Sequence, residues 1–267
     1  MNAPQIEATS FDVFLEHATQ RARHWSGNYL VFRGVADVEQ HRLVPSIGRT
    51  PRPRPYAQLL KDGQAERQAL ELFETRCIAH LKPRPANKLE LLFHAQHHGL
   101  PTRLLDWTFS PLVALYFAVA SDPVDVDGGV YIAGHGNPLQ RAENRKEVEA
   151  DPLSIDKDYF VVPPYVNRRL SAQQSCFTLH AEPTKPYARA QKVLRIPADQ
   201  KMAFRDKLDQ MGVSPETVFP DLDGLTKWIT YHIWMPSAKY VLPAQIDGIQ
   251  FKVAGRDAEQ SVQPDLR

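Results

Sequence analysis

The alternation of apolar and polar positions predicts the elements of this chain one after another. Phe11, Phe14, Leu15 and Ala18 recur at helical spacing behind Ser10, a suitable N-cap, so a helix is expected within residues 10–25. The run "NYLVFRGV" (Asn28 to Val35) is β-branched and aromatic and predicts a strand ending at Gly34. "HRLVPSIGR" (His41 to Arg49) reads as a short extended piece and a turn. Leu70, Phe73, Cys77 and Leu81 share one helical face, so a helix is expected over 65–81. A further helix over 88–98 should stop at Gly99, a natural C′ residue ahead of Pro101. In "SPLVALYFAVA", Ser110 suits the N-cap and Pro111 the first helical position. That helix is apolar nearly all round, which predicts burial.

The second half reads differently. "GGVYIAG" (Gly128 to Gly134), "YFVVPPYV", "SCFTLHAE" and "AQKVLRIP" (Ala190 to Pro197) predict strands, separated by a charged surface excursion over 138–158. "QKMAFRDKLDQMGV" is an amphipathic helix, and "SPETVFPDLDGLTKWITYHI" (Ser214 to Ile233) a turn and a helix. Helices dominate the first half and strands the second. The expected class is α+β, with a central mixed or antiparallel sheet flanked by helices. The pattern divides the chain into an N-terminal helical segment (1–27), a main domain (28–235), and a C-terminal strand with a polar tail (236–267).

Composition narrows the function classes. With 32 basic and 31 acidic residues among 267, no overall field draws the protein to nucleic acid or membrane. Two cysteines, Cys77 and Cys176, cannot build a disulfide framework, which points to a reducing compartment. The start "MNAPQIEATSFDVF" lacks the features of a signal peptide, and no apolar run is long enough for a membrane span. A cytoplasmic protein is expected. The 22 prolines gather in clusters such as "TPRPRPYAQ" and "LKPRPANK", which punctuate the chain between elements.

The candidate chemistry concentrates in "FHAQHHGLPTRLLDWTFSPLVALYFAVA" (Phe93 to Ala120). His97 and His98 fall in the last turn of one helix, where the dipole favours a cation. The next helix starts at Ser110, and its unpaired N–H groups, with the Thr108 and Ser110 hydroxyls, offer an anion site. Arg103, in the intervening turn, suits a phosphate bidentately. Asp106 would orient a histidine or Arg103, or accept from a ligand hydroxyl. The competing reading is a satisfied buried network that locks two helices together.

Outside this block, Arg33 lies near the end of an apolar strand, where it needs an anion or a carboxylate, and Gly34 permits close approach of a backbone or a ligand. A structural ion pair with Asp37 or Asp106 would satisfy Arg33 equally. Gln173 and Gln174 precede a strand and would read a ligand's polar groups or cap a sheet edge. Cys176 inside that strand is packing rather than a nucleophile. Asp221 or Asp223 caps the helix that follows. His94 and His98 stand at i,i+4 with Asp106 as a third donor, yet no HExxH motif, CxxC or second histidine pair supports a metal site, and none is expected.

Five stretches, "YLVFRGVAD", "LVPSIGR", "AQHHGLPTRLLDWTFSPLVALYFA", "RRLSAQQSCFTLH" and "FPDLDGL", together resemble the FRG domain family over Asn28 to Trp228. The family's Phe-Arg-Gly triplet is Phe32-Arg33-Gly34. One departure stands at Ser175, where the family's glutamine motif has glycine. The resemblance implies a bacterial or phage-associated protein with a role in phage–host conflict. A weaker resemblance, in order and residue type, is to ADP-ribosyltransferases of the Arg-Ser-Glu type. Arg33, then Thr108 and Ser110 leading into "VALYFA", then "QQSCFTL" follow that order, but Gln173 and Gln174 stand where the catalytic glutamate belongs.

Taken together, these resemblances imply a nucleotide-binding pocket, with NAD as the candidate substrate for glycosidic cleavage or ADP-ribosyl transfer. Arg33, Gly34, Thr102, Arg103, Thr108, Ser110, Gln174 and Phe177 are the expected ligand-binding residues, and His97, Asp106 and Gln173 the expected catalytic ones. A non-catalytic module sensing a nucleotide or a phage or host protein is the alternative, with a nuclease third. The enzyme reading requires Arg33, His97, Asp106 and Gln173 to converge on one open cavity.

Overall fold

A computed structural model describes residues 3–19, 29–49, 64–120, 125–164 and 168–234. The proline-rich 50–58 segment and the strand and tail expected after Pro236 lie outside the described residues. In chain order the elements are β1 (Gln5–Glu7), α1 (Phe11–Thr19), β2 (Tyr29–Val35), α2 (Ser46–Arg49), α3 (Gln64–Arg76), α4 (Lys88–His97), β3 (Leu104–Thr108) and α5 (Pro111–Val119). There follow β4 (Gly128–His135), α6 (Arg145–Ala150), β5 (Tyr159–Val161), α7 (Arg168–Ala172), β6 (Ser175–Leu179), β7 (Ala190–Ile196), α8 (Lys201–Gln210), α9 (Pro215–Val218) and α10 (Leu222–Trp234).

These seven strands form one mixed sheet in the order β1-β7-β4-β2-β3-β6-β5, so the fold is α+β. The β1–β7 pairing is parallel, and the other neighbours run antiparallel. The joint between β2 and β3 is the thinnest within the pair of plates it connects. Seven residue pairs join β2 to β4 and five join β3 to β6, whereas Phe32 opposite Thr108 is the pair that joins β2 to β3. Beyond that pair the two strands share no further ladder pair.

Local chemistry accounts for the helix ends. The Asn87 side chain accepts from the Glu90 N–H to start α4, and Gly99, at φ +88°, closes it. Ser110 Oγ accepts from the Val113 N–H and Pro111 opens α5, as the sequence predicts. Buried α5 lies on one face of the sheet, where Ala114, Leu115 and Ala118 join Phe32, Val130, Ile132 and Leu194 in a large core cluster. A second cluster joins α4 to β6 through Leu92, Phe93, Leu104, Phe177 and Leu179. Among the described residues no helix is long and apolar enough to cross a membrane.

Some expectations need correction. "LLDWT" is a strand, β3, rather than part of a turn; its Leu104 and Leu105 are buried in different clusters because strand side chains alternate between faces. "HRLVPSIGR" ends in the helical turn α2. The α-helix expected to reach 81 stops at Arg76 and continues as a 3₁₀ turn over Cys77–Ala79. The 138–158 excursion is not all surface. Leu139 and Val148 are buried in the same core cluster as Leu179 and Phe177.

Candidate functional site

Beside β2 and β3 a cavity of about 390 Å³ opens. Its walls come from Phe32 and Arg33 on β2, Leu104 to Thr108 on β3, Phe93, Gln96 and His97 on α4, Arg169 on α7 with Gln173 just beyond it, and Ser175 and Phe177 on β6. Arg33, His97, Asp106 and Gln173 therefore line one open cavity. Phe177 stacks on Phe93 with centroids 5.1 Å apart, giving the cavity an aromatic wall.

Arg33 reaches from β2 to β3. Its Nη1 donates to the Asp106 carbonyl oxygen at 2.7 Å and stands 3.6 Å from Asp106 Oδ2. Burial pulls the Arg33 pKa below its ordinary value, with Asp106 opposing and Arg49 adding to the fall. A guanidinium nevertheless stays charged at neutral pH. The Asp106 side chain is 61% exposed although Arg33 is near, because it projects into the cavity. Gln96 Nε2 donates to Asp106 Oδ1 at 2.9 Å, and Gln96 Oε1 accepts from the hydroxyl of fully buried Thr102. The carboxylate is thus oriented by a relay that begins in the core.

Charge in the cavity is one-sided. Arg33, Arg49 and Arg169 line it, and Asp106 is the carboxylate among the described lining residues. Arg169 also lies over the Phe219 ring at 4.7 Å, which holds its long side chain at the rim. Burial first, then Arg169 and the neighbouring His98, push the His97 pKa down. That favours a neutral imidazole, contrary to the protonated form expected at a helix C-terminus.

The remaining expected ligand residues are placed elsewhere or spent on the fold. Arg103 is 4% exposed and pairs with buried Glu66 at 2.9 Å, so the expectation that it binds phosphate is corrected: it closes a core ion pair. Thr102 acts on Gln96 rather than on the cavity. Gly34 lines the cavity, but a Cβ there would stand 1.8 Å from the Ala114 carbonyl oxygen, so the glycine admits helix α5 rather than a ligand. Thr108 is at the wall, its hydroxyl donating to the Gln173 carbonyl at 2.7 Å and accepting from the Ser110 N–H. The Ser110 hydroxyl caps α5 and does not line the cavity. Gln174 sits outside it at φ +46°, turning the chain from α7 into β6. Cys176 is fully buried in β6, and burial raises its thiol well above the ordinary value, in keeping with a packing role.

Sequence reasoning assigned no role to Arg49, Gln96, Phe93 or Arg169. Arg49 and Arg169 stand in the stretches "LVPSIGR" and "RRLSAQQSCFTLH", and Gln96 between the histidines. What they share is a place on the cavity wall, which no local pattern carries. Among the described residues no three His, Cys, Asp or Glu side chains gather in a metal-binding group.

One family model matches part of the chain. Residues 28–125 match the model of the FRG domain, a span that runs from β2 through α5 and contains Arg33, His97 and Asp106. Over that span the chain is similar to the FRG domain. No curated protein and no solved structure matches the chain.

Proposed function

We propose that the cavity beside β2 and β3 binds a nucleotide-like anion. The observation that carries this reading is that Arg33, Arg49 and Arg169 line the cavity with the Asp106 carboxylate, beside an aromatic wall. Guanidinium forks suit phosphate oxygens, and a stacked phenylalanine pair suits the edge or face of a base. The volume falls within the range of about 300–1,000 Å³ usual for small-molecule sites. On the enzyme reading, an NAD or nucleotide substrate would place phosphate on Arg33 and Arg169 and its labile bond near His97 and Asp106. The strands carrying Arg33, Thr108 and Ser175 are neighbours in the order β2-β3-β6, which supports the ADP-ribosyltransferase-like arrangement. Cys77 and Cys176, both buried free thiols, fit a reducing cytoplasm.

A sensor that binds without turnover is favoured by one observation. The Gln173 amide, where a catalytic carboxylate would be needed, donates to the Val218 carbonyl at 3.3 Å. Calorimetric titration with ADP, ATP and NAD tests binding, and mass-spectrometric product analysis with NAD, ATP, GTP and short nucleic acids tests turnover. Saturable binding weakened about tenfold or more by Arg33→Ala is expected. Released nicotinamide or ADP-ribose, lost in the variant, would establish NAD chemistry; binding with intact substrates would select the sensor. No binding of any of the three nucleotides would sink the nucleotide reading.

A further inference from the structure

We propose that Asp106 makes this cavity selective for an anion that also carries hydroxyl donors, a ribonucleoside phosphate rather than a bare phosphate or a deoxygenated analogue. The inference rests on the nucleotide reading above and names the feature of the ligand that is selected.

A carboxylate among Arg33, Arg49 and Arg169 weakens the field that would hold a simple polyanion. If Asp106 served only as a partner for Arg33, it would be expected to close on the guanidinium. Instead, Arg33 Nη1 makes its short bond, 2.7 Å, to the Asp106 backbone carbonyl, and the carboxylate oxygen stands off at 3.6 Å. Arg33 would keep that carbonyl partner without the Asp106 side chain. The carboxylate is nonetheless held in place, because Gln96 Nε2 fixes Oδ1 and Thr102 fixes Gln96.

An ionised carboxylate offers about four acceptor positions. Gln96 occupies one and Arg33 faces another; the rest open into the cavity, consistent with a side chain 61% exposed. Oriented acceptors beside a cluster of guanidinium donors are complementary to a ligand with both kinds of group. Vicinal ribose hydroxyls donate where the phosphate accepts. A site whose acceptors would be left unpaired rejects the analogue that lacks the hydroxyls.

The test is calorimetric titration of the full chain with ADP, 2′,3′-dideoxy-ADP and pyrophosphate, for the wild type, Asp106→Ala and Asp106→Asn. The second variant keeps an acceptor for Gln96, and circular dichroism and a melting curve check that each folds. The wild type should bind ADP at least about tenfold more tightly than the dideoxy analogue. In Asp106→Ala the preference should shrink below about threefold, while pyrophosphate binds as well as or better than to the wild type because a like charge has gone. Equal wild-type affinity for both nucleotides, with both weakened by Arg33→Ala, would overturn the hydroxyl selectivity and leave the anion site standing. A preference unchanged in both Asp106 variants would overturn the assignment to Asp106. Failure of all three probes to bind the wild type would instead overturn the nucleotide reading itself.

Discussion

Gly34 lies so close to Ala114 that a Cβ on it would stand 1.8 Å from the Ala114 carbonyl oxygen and 2.9 Å from the Ala118 nitrogen. Strand β2 and helix α5 therefore touch backbone to backbone, and the glycine of the Phe-Arg-Gly triplet is what permits it. Arg33 and Gly34 are adjacent in sequence, yet they serve different ends. Arg33 spans to β3, and Gly34 admits a helix.

Gly34→Ala should accordingly act on the fold. Backbone cannot rotate out of the way as a side chain can, so the loss should be about 3 kcal/mol or more in urea unfolding. Gly99→Ala provides the contrast. A Cβ at Gly99 meets nothing within 4 Å, and only the φ of +88° resists it, for a loss of about 1 kcal/mol.

The Arg103–Glu66 pair is 2.9 Å long with both side chains under 5% exposed, and Glu66 also accepts from the Arg103 backbone N–H. Glu66→Ala leaves a buried guanidinium without its carboxylate and should cost about 3–5 kcal/mol in chemical denaturation. Replacing both residues with apolar ones, Arg103→Met with Glu66→Leu, should recover much of that loss. A double variant no more stable than Glu66→Ala would contradict the pairing.

Stability should fall in mild acid. His135 and His180 are buried, and desolvation lowers each pKa from 6.5 to about 4, helped at His135 by Arg189 and at His180 by Arg33 and Arg103 against Asp158. His135 stacks on Phe160, and His180 Nε2 meets the Thr178 hydroxyl, which accepts from Trp107. Between those two pKa values the unfolded chain binds protons that the folded rings refuse, so stability declines as pH drops from about 6.5 toward 4 and is level above it. From pH 7.5 to 5 the two rings together should cost about 4 kcal/mol, read from urea midpoints. His135→Phe should roughly halve that slope.

Gln174 adopts φ +46°, which disfavours a side chain with a Cβ. Its N–H bonds the Ser171 carbonyl and its carbonyl accepts from Phe109, so the turn is held by backbone. Gln174→Gly should stabilise the protein by about 1 kcal/mol and leave ADP affinity unchanged, measured by thermal melting and titration.

Elements with strong local signals were legible in the sequence. Ser110-Pro111 announced α5, Gly99 announced the end of α4, and the β-branched "NYLVFRGV" announced β2. Strand β3 was not legible, because five residues with Arg103 before and Phe109 after look like a turn until a partner strand is known. The same limit applied to the site. Arg33 and Asp106 stand out by type, but nothing local distinguishes Arg103, bound to Glu66 in the core, from Arg169, over Phe219 at the rim. Both are arginines beside apolar neighbours, and only the pairing of distant elements separates a structural cation from an available one.

The thin joint between β2 and β3 gives the sheet a mechanical character. Four strands, β1-β7-β4-β2, make one plate and three, β3-β6-β5, another, joined in the ladder at Phe32–Thr108 and otherwise by side chains, the reach of Arg33 and the stacking of His135 on Phe160 among them. The seam is thus held by side chains more than by ladder hydrogen bonds, and its firmness depends on which side chains stand there.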